Sequence, residues 1–119
     1  MFLRYVSAVL ALSMASAAAA QWVPGSELVG QRVKVQTEGV ENVVTFERDG
    51  VARISSASGA TVVDATWTAD GQQMCLKTST TYDCYPYAQP FEANRPVDLL
   101  STCGVRSRWL ALLPVGERG

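Results

Sequence analysis

Apolar and polar residues alternate in short runs along most of the chain after residue 30. A period of two is typical of strands with one buried face, and no run keeps a 3.6-residue period over three helical turns. The pattern predicts eight strands, at residues 32–36, 43–47, 51–54, 60–68, 73–77, 82–85, 97–100 and 105–113. One helical turn is predicted before them, at residues 26–30, with Ser26 as its cap and Gly30 at its end.

Tight turns separate the predicted strands. Asp-Gly pairs at residues 49–50 and 70–71, and a Glu-Gly pair at residues 38–39, are typical of hairpin connections. Consecutive hairpins predict an all-β fold, a small antiparallel meander of about eight strands. Closure into a closed or partly closed barrel would remove the exposed sheet edges. A two-sheet β-sandwich is the alternative, which ranks second because no long crossover precedes Pro86.

The turn at Gly30, the first strand and the hairpin meander that follows resemble the arrangement of small calycin-type barrels. The Gly-x-Trp pattern found at the entry of such barrels is absent, because Gln31 and Arg32 follow Gly30. The resemblance therefore concerns the architecture, and no functional residue is carried over from it.

The first 20 residues have the three parts of a secretory signal peptide. Arg4 supplies the basic start, an apolar run of 15 residues extends from residue 6 to residue 20, and Ala18 and Ala20 are the small residues of a cleavage site. A membrane-spanning helix needs about 20 apolar residues, so the run is too short for an anchor. We expect a cleaved signal peptide at residues 1–20. Residues 21–119 would form one exported domain without a membrane span, in the periplasm or outside a bacterial cell.

Composition narrows the chemistry that is available to this domain. The 119-residue chain carries a formal net charge of −1 and contains no histidine. Non-specific nucleic-acid binding needs a dense basic surface, so nucleic acid is not an expected partner. Without histidine, Ser-His-Asp catalysis, Cys-His catalysis and Cys/His zinc sites are excluded within the chain. The sequence also lacks a phosphate loop and metal-ligand spacing, so we expect no enzymatic activity, no metal and no cofactor.

The chain has three cysteines, which is an odd number. In an oxidising compartment this predicts one disulfide and one free thiol. Cys75 and Cys84 would lie opposite each other across the turn between the fifth and sixth strands, at a separation that a disulfide can bridge. This is the predicted pair, with Cys84–Cys103 as the main alternative, and closing its short loop would stabilise the fold by roughly 2–3 kcal/mol. Cys103 would then be a reactive thiol or an intermolecular link, or else a small buried hydrophobic residue.

Residues 86–96 have no strand pattern and contain three prolines, which lack a backbone donor. Long ordered connections often carry function, although this one could instead plug one end of the barrel. Tyr85, Tyr87 and Phe91 lie in or beside it, and aromatic faces stack on sugar rings and other apolar ligands. These three are candidate ligand-binding residues, with ordinary packing at the barrel end as the alternative.

Arg95, Arg106 and Arg108 form the basic concentration of the sequence. Arginines at a rim can hold a carboxylate or a phosphate in bidentate fashion, which makes all three candidate ligand-binding residues. The alternative is a solvated face on which these arginines pair with Glu92 or Asp98 and contribute little to stability.

These observations favour an exported binding module without enzymatic activity, whose partner is an unidentified small molecule or protein. A small, rigid, disulfide-stapled barrel would also suit a protein inhibitor of a secreted lysozyme or protease, because preorganisation limits the entropy lost on binding. An enzyme that uses Cys103 or a carboxylate is the third hypothesis. A structural component of a cell-envelope assembly is the remaining alternative, with the apolar residues 109–113 as its interface. A hollow barrel would favour a small ligand, and a filled one would favour loops and protein partners.

Overall fold

The computed structural model describes residues 21–118, so the predicted signal peptide lies outside the described residues. Within residues 21–118 the chain forms eight strands and no α-helix. The strands are β1 (Arg32–Thr37), β2 (Val40–Phe46), β3 (Val51–Ser56), β4 (Val62–Ala69), β5 (Gln73–Lys77), β6 (Tyr82–Pro86), β7 (Val97–Leu100) and β8 (Arg106–Ala111). Short 3₁₀ turns occur at Arg48–Gly50 and Val115–Glu117. The predicted all-β fold is confirmed.

The eight strands belong to one antiparallel sheet in the order β6-β5-β4-β3-β2-β1-β8-β7. Each strand from β1 to β5 pairs with the next along the chain, β7 pairs with β8, and β8 returns to pair with β1, where Val33 lies opposite Ala111. The sheet therefore curls into a nearly closed barrel whose two edges are β6 and β7. The predicted barrel is confirmed, and the sandwich alternative is wrong because one continuous sheet surrounds a single core.

The turns predicted from the sequence connect the strands of the hairpins. Glu38 and Gly39, between β1 and β2, both have positive φ angles, 50° and 81°, as a tight hairpin turn requires. Between β4 and β5, the Asp70 carboxylate accepts hydrogen bonds from the backbone N–H groups of Gln73 and Gln72, both at 2.8 Å. These bonds favour the charged carboxylate and hold the pKa of Asp70 below its ordinary value.

Residues 24–30 form a series of turns, so the helical turn predicted in this segment is wrong. Gly30 donates its N–H to the carbonyl of Phe46 in β2 instead of to a helical partner. Gly25 has a φ of 87°, and a Cβ at this position would lie 3.1 Å from the ring of Trp67. Contacts with the barrel, rather than local helix propensity, therefore shape this segment.

Large side chains fill the inside of the barrel. The largest that are fully buried are Trp109, Tyr87, Phe46, Leu28, Met74 and Val33. Trp109 donates its indole N–H to Oγ of Ser107 at 2.8 Å, which satisfies the polar atom that the ring brings into the core. Because Trp109 and Ala111 belong to this core, they are not available to the interface that residues 109–113 were expected to form.

The Cys75–Cys84 disulfide joins β5 to β6, and its two residues lie directly opposite each other in the register of these strands. The predicted pairing is confirmed, and the Cys84–Cys103 alternative is wrong. Cys103 has a free thiol and is exposed in the loop after β7, so the expectation that it is a buried hydrophobic residue is also wrong. The turn that leads from β7 to β8 keeps this side chain outside the core.

Candidate functional site

The two edges of the sheet, β6 and β7, meet at a seam that is only partly closed. Thr102 donates its N–H to the carbonyl of Cys84 at 2.9 Å, and Cys84 donates its N–H to Oγ1 of Thr102 at 3.3 Å. Among residues 21–118, no other backbone hydrogen bond joins the two edges. These two hydrogen bonds therefore join the edges just beyond the C-terminal end of β7. Toward the C-terminal end of β6 the seam stays open.

Pro86 explains why the seam does not close further. Tyr87 donates its N–H to the carbonyl of Gln72, on the β5 side of the strand. Successive residues of a strand direct their backbone groups to opposite sides, so Cys84 and Pro86 both face the seam. Proline has no N–H and is confined to the edges of sheets. At the next seam-facing position after Cys84, β6 therefore has no donor to offer β7.

A cleft of ≈ 400 Å³, which we name the seam cleft, lies where the seam is open. Its apolar lining comes from Pro86, Tyr87, Pro90, Phe91, Val97 and Leu99, and its polar lining from Gln89, Glu92 and Arg95. A smaller cleft of ≈ 300 Å³ continues along the seam from Pro86 and is bordered by Tyr85, Leu100 and Thr102. The two clefts therefore share Pro86 as a border, and the seam cleft is the one with a mostly apolar lining.

Five aromatic rings form a continuous cluster that adjoins the seam cleft. Tyr87 and Phe91 are stacked, with 5.6 Å between their ring centroids. Phe91 and Trp109 are also stacked, at 5.9 Å. Trp22 meets Tyr87 edge-on at 5.1 Å. Tyr85 meets Trp109 edge-on at 4.7 Å. Because Tyr87 and Phe91 also line the seam cleft, its floor consists of rings that are packed against the core.

Glu27 fixes the position of this aromatic cluster through its carboxylate. It accepts hydrogen bonds from the Tyr87 hydroxyl, 2.6 Å from Oε2, and from the N–H of Phe91 at 3.0 Å. It also accepts a bond from the indole N–H of Trp22 at 3.3 Å. The Tyr87 hydroxyl accepts a further bond from the N–H of Gly25 at 3.0 Å. One carboxylate thus ties the N-terminal segment to the loop that follows β6.

Glu27 was not among the functional residues predicted from the sequence, because two of its three side-chain partners are remote along the chain. Tyr87 and Phe91 lie 60 and 64 residues away. A usable signal was present in the local composition, since Glu27 is the single charged residue of the apolar segment from residue 22 to residue 30. A charged group in such a segment indicates hydrogen-bond partners elsewhere in the fold.

Burial raises the pKa of both tyrosines of the aromatic cluster. For Tyr87 it is the main cause of a pKa above the ordinary 10.0, and the hydrogen bond that this residue donates to Glu27 adds to the shift. Burial also raises the pKa of Tyr85 to about 12, with a smaller contribution from the negative charge of Asp83. Both effects favour the protonated Tyr87 hydroxyl, which is the form that donates a hydrogen bond to Glu27.

The seam cleft brings together three of the predicted ligand-binding residues, Tyr87, Phe91 and Arg95. Tyr85 borders the smaller cleft instead. Tyr87 and Phe91 are only 2% and 8% exposed, so little of either ring is open to a ligand in the cleft. Both rings pack against other rings of the aromatic cluster, as the packing alternative expects.

The arginines do not converge on a common anion site. Arg106 and Arg108 border a separate shallow groove on the outer side of β8. Arg108 pairs with Asp98 at 3.2 Å, and Arg95 pairs with Glu92 at 2.7 Å. Both ion pairs are exposed, and pairs of this kind contribute little to stability. The arrangement matches the solvated-face alternative for Arg95 and Arg108.

Cys103 lines neither cleft. The proximity of the Asp83 carboxylate to the thiol is the main cause of a raised pKa of Cys103. A raised pKa lowers the fraction of thiolate, which is the nucleophilic form. The reactive-thiol hypothesis receives no support from this environment.

Within the described part of the chain, no group of three acidic or cysteine side chains is placed to hold a metal ion. Residues 21–118 also contain no helix that is long and apolar enough to cross a membrane. No family model, curated protein or solved structure matches the chain. Function is therefore inferred from the geometry of the seam cleft.

Replacement of Glu27 by alanine removes the acceptor for the Tyr87 hydroxyl, the Phe91 N–H and the Trp22 indole. Unsatisfied buried donors cost about 1–3 kcal/mol each, and part of that cost is offset here by water, so we expect the free energy of unfolding to fall by about 2–4 kcal/mol. Urea denaturation measures the change. Glu92→Ala, which removes an exposed carboxylate, is the control and should change stability by less than about 0.5 kcal/mol. Equal effects of the two substitutions would contradict the role assigned to Glu27.

The raised tyrosine pKa values predict a loss of stability in alkali. Unfolded chains ionise Tyr85 and Tyr87 near the ordinary pKa of 10.0, whereas the folded protein keeps both protonated above that pH. Because the folded state then binds more protons, this contribution to stability is fully present below pH 10.0 and is lost as the pH rises above it. Phenolate absorbance and urea denaturation at the same pH values measure the effect, and Tyr85→Phe should reduce it. Ionisation of both tyrosines at pH 10.0 in the folded protein would refute the prediction.

Proposed function

We propose that this chain is an exported binding module without enzymatic activity and that the seam cleft is its binding site. The observation that carries the proposal is the cleft of ≈ 400 Å³ with an apolar floor where the barrel wall is open. Ligand sites are typically clefts of roughly 300–1,000 Å³ with mostly apolar walls and a few polar groups. The seam cleft has this composition, since Gln89, Glu92 and Arg95 supply polar groups at its border.

The packed interior supports a site on the wall of the barrel rather than inside it. Trp109, Tyr87 and Phe46 occupy the interior and are fully buried. A small molecule that entered the barrel would have to displace such side chains, unlike a ligand in a barrel with a hollow centre. A group that binds from outside reaches the floor of the seam cleft without displacing them. An apolar group of a protein partner, or a small ligand at the surface, is the occupant favoured by this arrangement.

The protonation of two nucleophilic side chains, Tyr87 and Cys103, supports the proposed absence of enzymatic activity. Tyr87 and Cys103 both have raised pKa values, which keep the phenol oxygen and the thiol sulfur protonated. Nucleophilic catalysis requires the opposite, a group whose pKa is lowered or which is paired with a base. The seam cleft therefore offers contacts and shape rather than reactive groups.

Export is supported by the cysteine chemistry together with the N-terminal sequence. The Cys75–Cys84 disulfide is compatible with an oxidising compartment, because cytosolic proteins rarely keep such bonds. Residues 1–20 have the composition of a cleavable signal peptide. We therefore assign the protein to the periplasm or to the outside of the cell.

A substitution that blocks the seam cleft tests the proposal. Ala88 is exposed and lines the cleft, so Ala88→Trp fills part of it without entering the core. A fragment screen by amide NMR should find compounds that shift the signals of cleft residues and bind about tenfold more weakly to this variant. Ala57→Trp, at an exposed site in the β3–β4 loop, is the matched control and should bind like the wild type. Fragments that bind elsewhere, or equally to both variants, would overturn the proposal.

The tip of the loop after β6 favours a second candidate function, inhibition of a secreted lysozyme or protease. Ala88, Gln89 and Pro90 are exposed, whereas Tyr87 and Phe91 on either side of them are buried. A tip that is held at both ends is preorganised, and it loses less conformational entropy when it enters an active site. The loop after β6 would therefore be the segment that an inhibitor inserts into the enzyme, and the same loop also lines the seam cleft.

Assays against a panel of secreted lysozymes and proteases distinguish the two candidates. An inhibitor should suppress at least one enzyme of the panel at micromolar concentration, and Gln89→Arg at the loop tip should weaken that effect by about tenfold. Gln36→Arg, at an exposed position of β1, is the matched control and should inhibit like the wild type. If no enzyme of the panel responds, the inhibitor hypothesis is rejected and the binding module remains.

A further inference from the structure

Gln21 is the residue that cleavage after Ala20 leaves at the N-terminus of the exported chain. In the structure Gln21 is exposed, and no hydrogen bond within residues 21–118 holds its side-chain amide. The chain becomes anchored one residue later, where Trp22 donates its indole N–H to the carboxylate of Glu27 at 3.3 Å. The side chain of Gln21 is therefore free to bend back onto its own backbone nitrogen.

We propose that Gln21 is a modification site, at which the α-amino group cyclises with the side chain so that the exported protein begins with a pyroglutamate lactam. This inference rests on the export that belongs to the proposed function, because the reaction needs a free α-amine at residue 21. Glutamine suits the reaction because its side-chain carbonyl carbon closes a five-membered ring with the α-nitrogen. Its amide nitrogen also leaves as neutral ammonia.

The atoms of the cyclisation balance within one residue. The α-nitrogen of Gln21 forms a bond with Cδ, and the bond between Cδ and Nε2 breaks. The α-amine gives up one proton, which Nε2 takes up as it leaves in ammonia. No oxidant, reductant or further reactant is consumed, and the product is a neutral lactam. The attacking amine must be unprotonated, and α-amino groups have ordinary pKa values of about 7.7–8.0, so a neutral fraction is present near neutral pH.

The lactam protects the contact that the next residue makes with the aromatic cluster. Trp22 meets Tyr87 edge-on, with 5.1 Å between the ring centroids, and bonds the carboxylate of Glu27. Exposed chain termini are where proteolysis concentrates, and aminopeptidases begin at a free α-amine. A lactam removes that amine. The modification therefore keeps Trp22 in the chain and preserves the ring that packs against Tyr87 behind the seam cleft.

Mass spectrometry and N-terminal sequencing of the exported protein test the proposal. The full 119-residue chain is expressed in a bacterial host, and the processed protein is collected from the periplasm or the medium. Its mass should equal that of residues 21–119 less one ammonia molecule. Edman degradation should be blocked until a pyroglutamyl aminopeptidase removes the first residue. An unmodified Gln21 that is still sequenced directly after prolonged incubation at neutral pH would overturn the proposal.

Gln21→Asn is the matched control, because it keeps the amide but shortens the side chain by one methylene. The corresponding lactam would be a strained four-membered ring, so the variant should keep its full mass and a terminus that Edman degradation reads at once. Position 21 is exposed, and the substitution should leave the fold unchanged. An aminopeptidase should remove residue 21 from this variant and leave the wild-type terminus intact. Equal trimming of the two proteins would refute the protective role.

Failure of the lactam can be told apart from failure of the proposed function. An exported chain that begins at a residue other than Gln21 would overturn the lactam and the cleavage position while export itself still held. A chain that keeps residues 1–20 and stays in the cytoplasm would overturn both the lactam and the assignment to an exported location. The fragment screen at the seam cleft does not depend on the terminus, so its failure would overturn the binding module whatever the mass of the protein.

Discussion

The hydrogen bonds that Tyr87 and Phe91 donate to the carboxylate of Glu27 join segments that are remote along the chain, and Trp22 adds a bond from within the N-terminal segment. They attach the loop after β6 to the N-terminal segment and set the positions of the rings that stack in the aromatic cluster. A buried hydrogen-bond network of this kind specifies one arrangement, because any other leaves polar groups unpaired. The floor of the seam cleft is rigid for the same reason, since it is made from the residues that this network holds.

The seam shows how a small barrel can remain open without exposing a long free edge. Thr102 bonds Cys84 with both its backbone and its side chain, and the disulfide from Cys84 to Cys75 anchors this contact to β5. Beyond it, Pro86 removes the donor that further closure would need. The barrel wall therefore opens over a defined length, and the apolar residues behind the opening are covered by aromatic packing rather than by an eighth pair of strands.

The recognition that we propose at this opening would depend on shape and apolar contact. The exposed ion pairs of Arg95 with Glu92 and of Arg108 with Asp98 use up the charges that border it. A filled core also distinguishes this barrel from barrels that hold a ligand in the centre. Both features direct attention to the outer wall, where the seam cleft lies.

The order of the strands, their bounds to within three residues, the hairpin turns and the Cys75–Cys84 pair were all predictable from the sequence. These features depend on neighbours along the chain, through the period of two, the φ angles that Gly and Asp permit, and the register across a short turn. The site was only partly predictable. The residues after Pro86 stood out through their prolines and aromatic rings, but Glu27 and the opening of the seam did not. Both depend on contacts between residues remote along the chain, and those contacts exist only once the sheet has curled and brought its edges together.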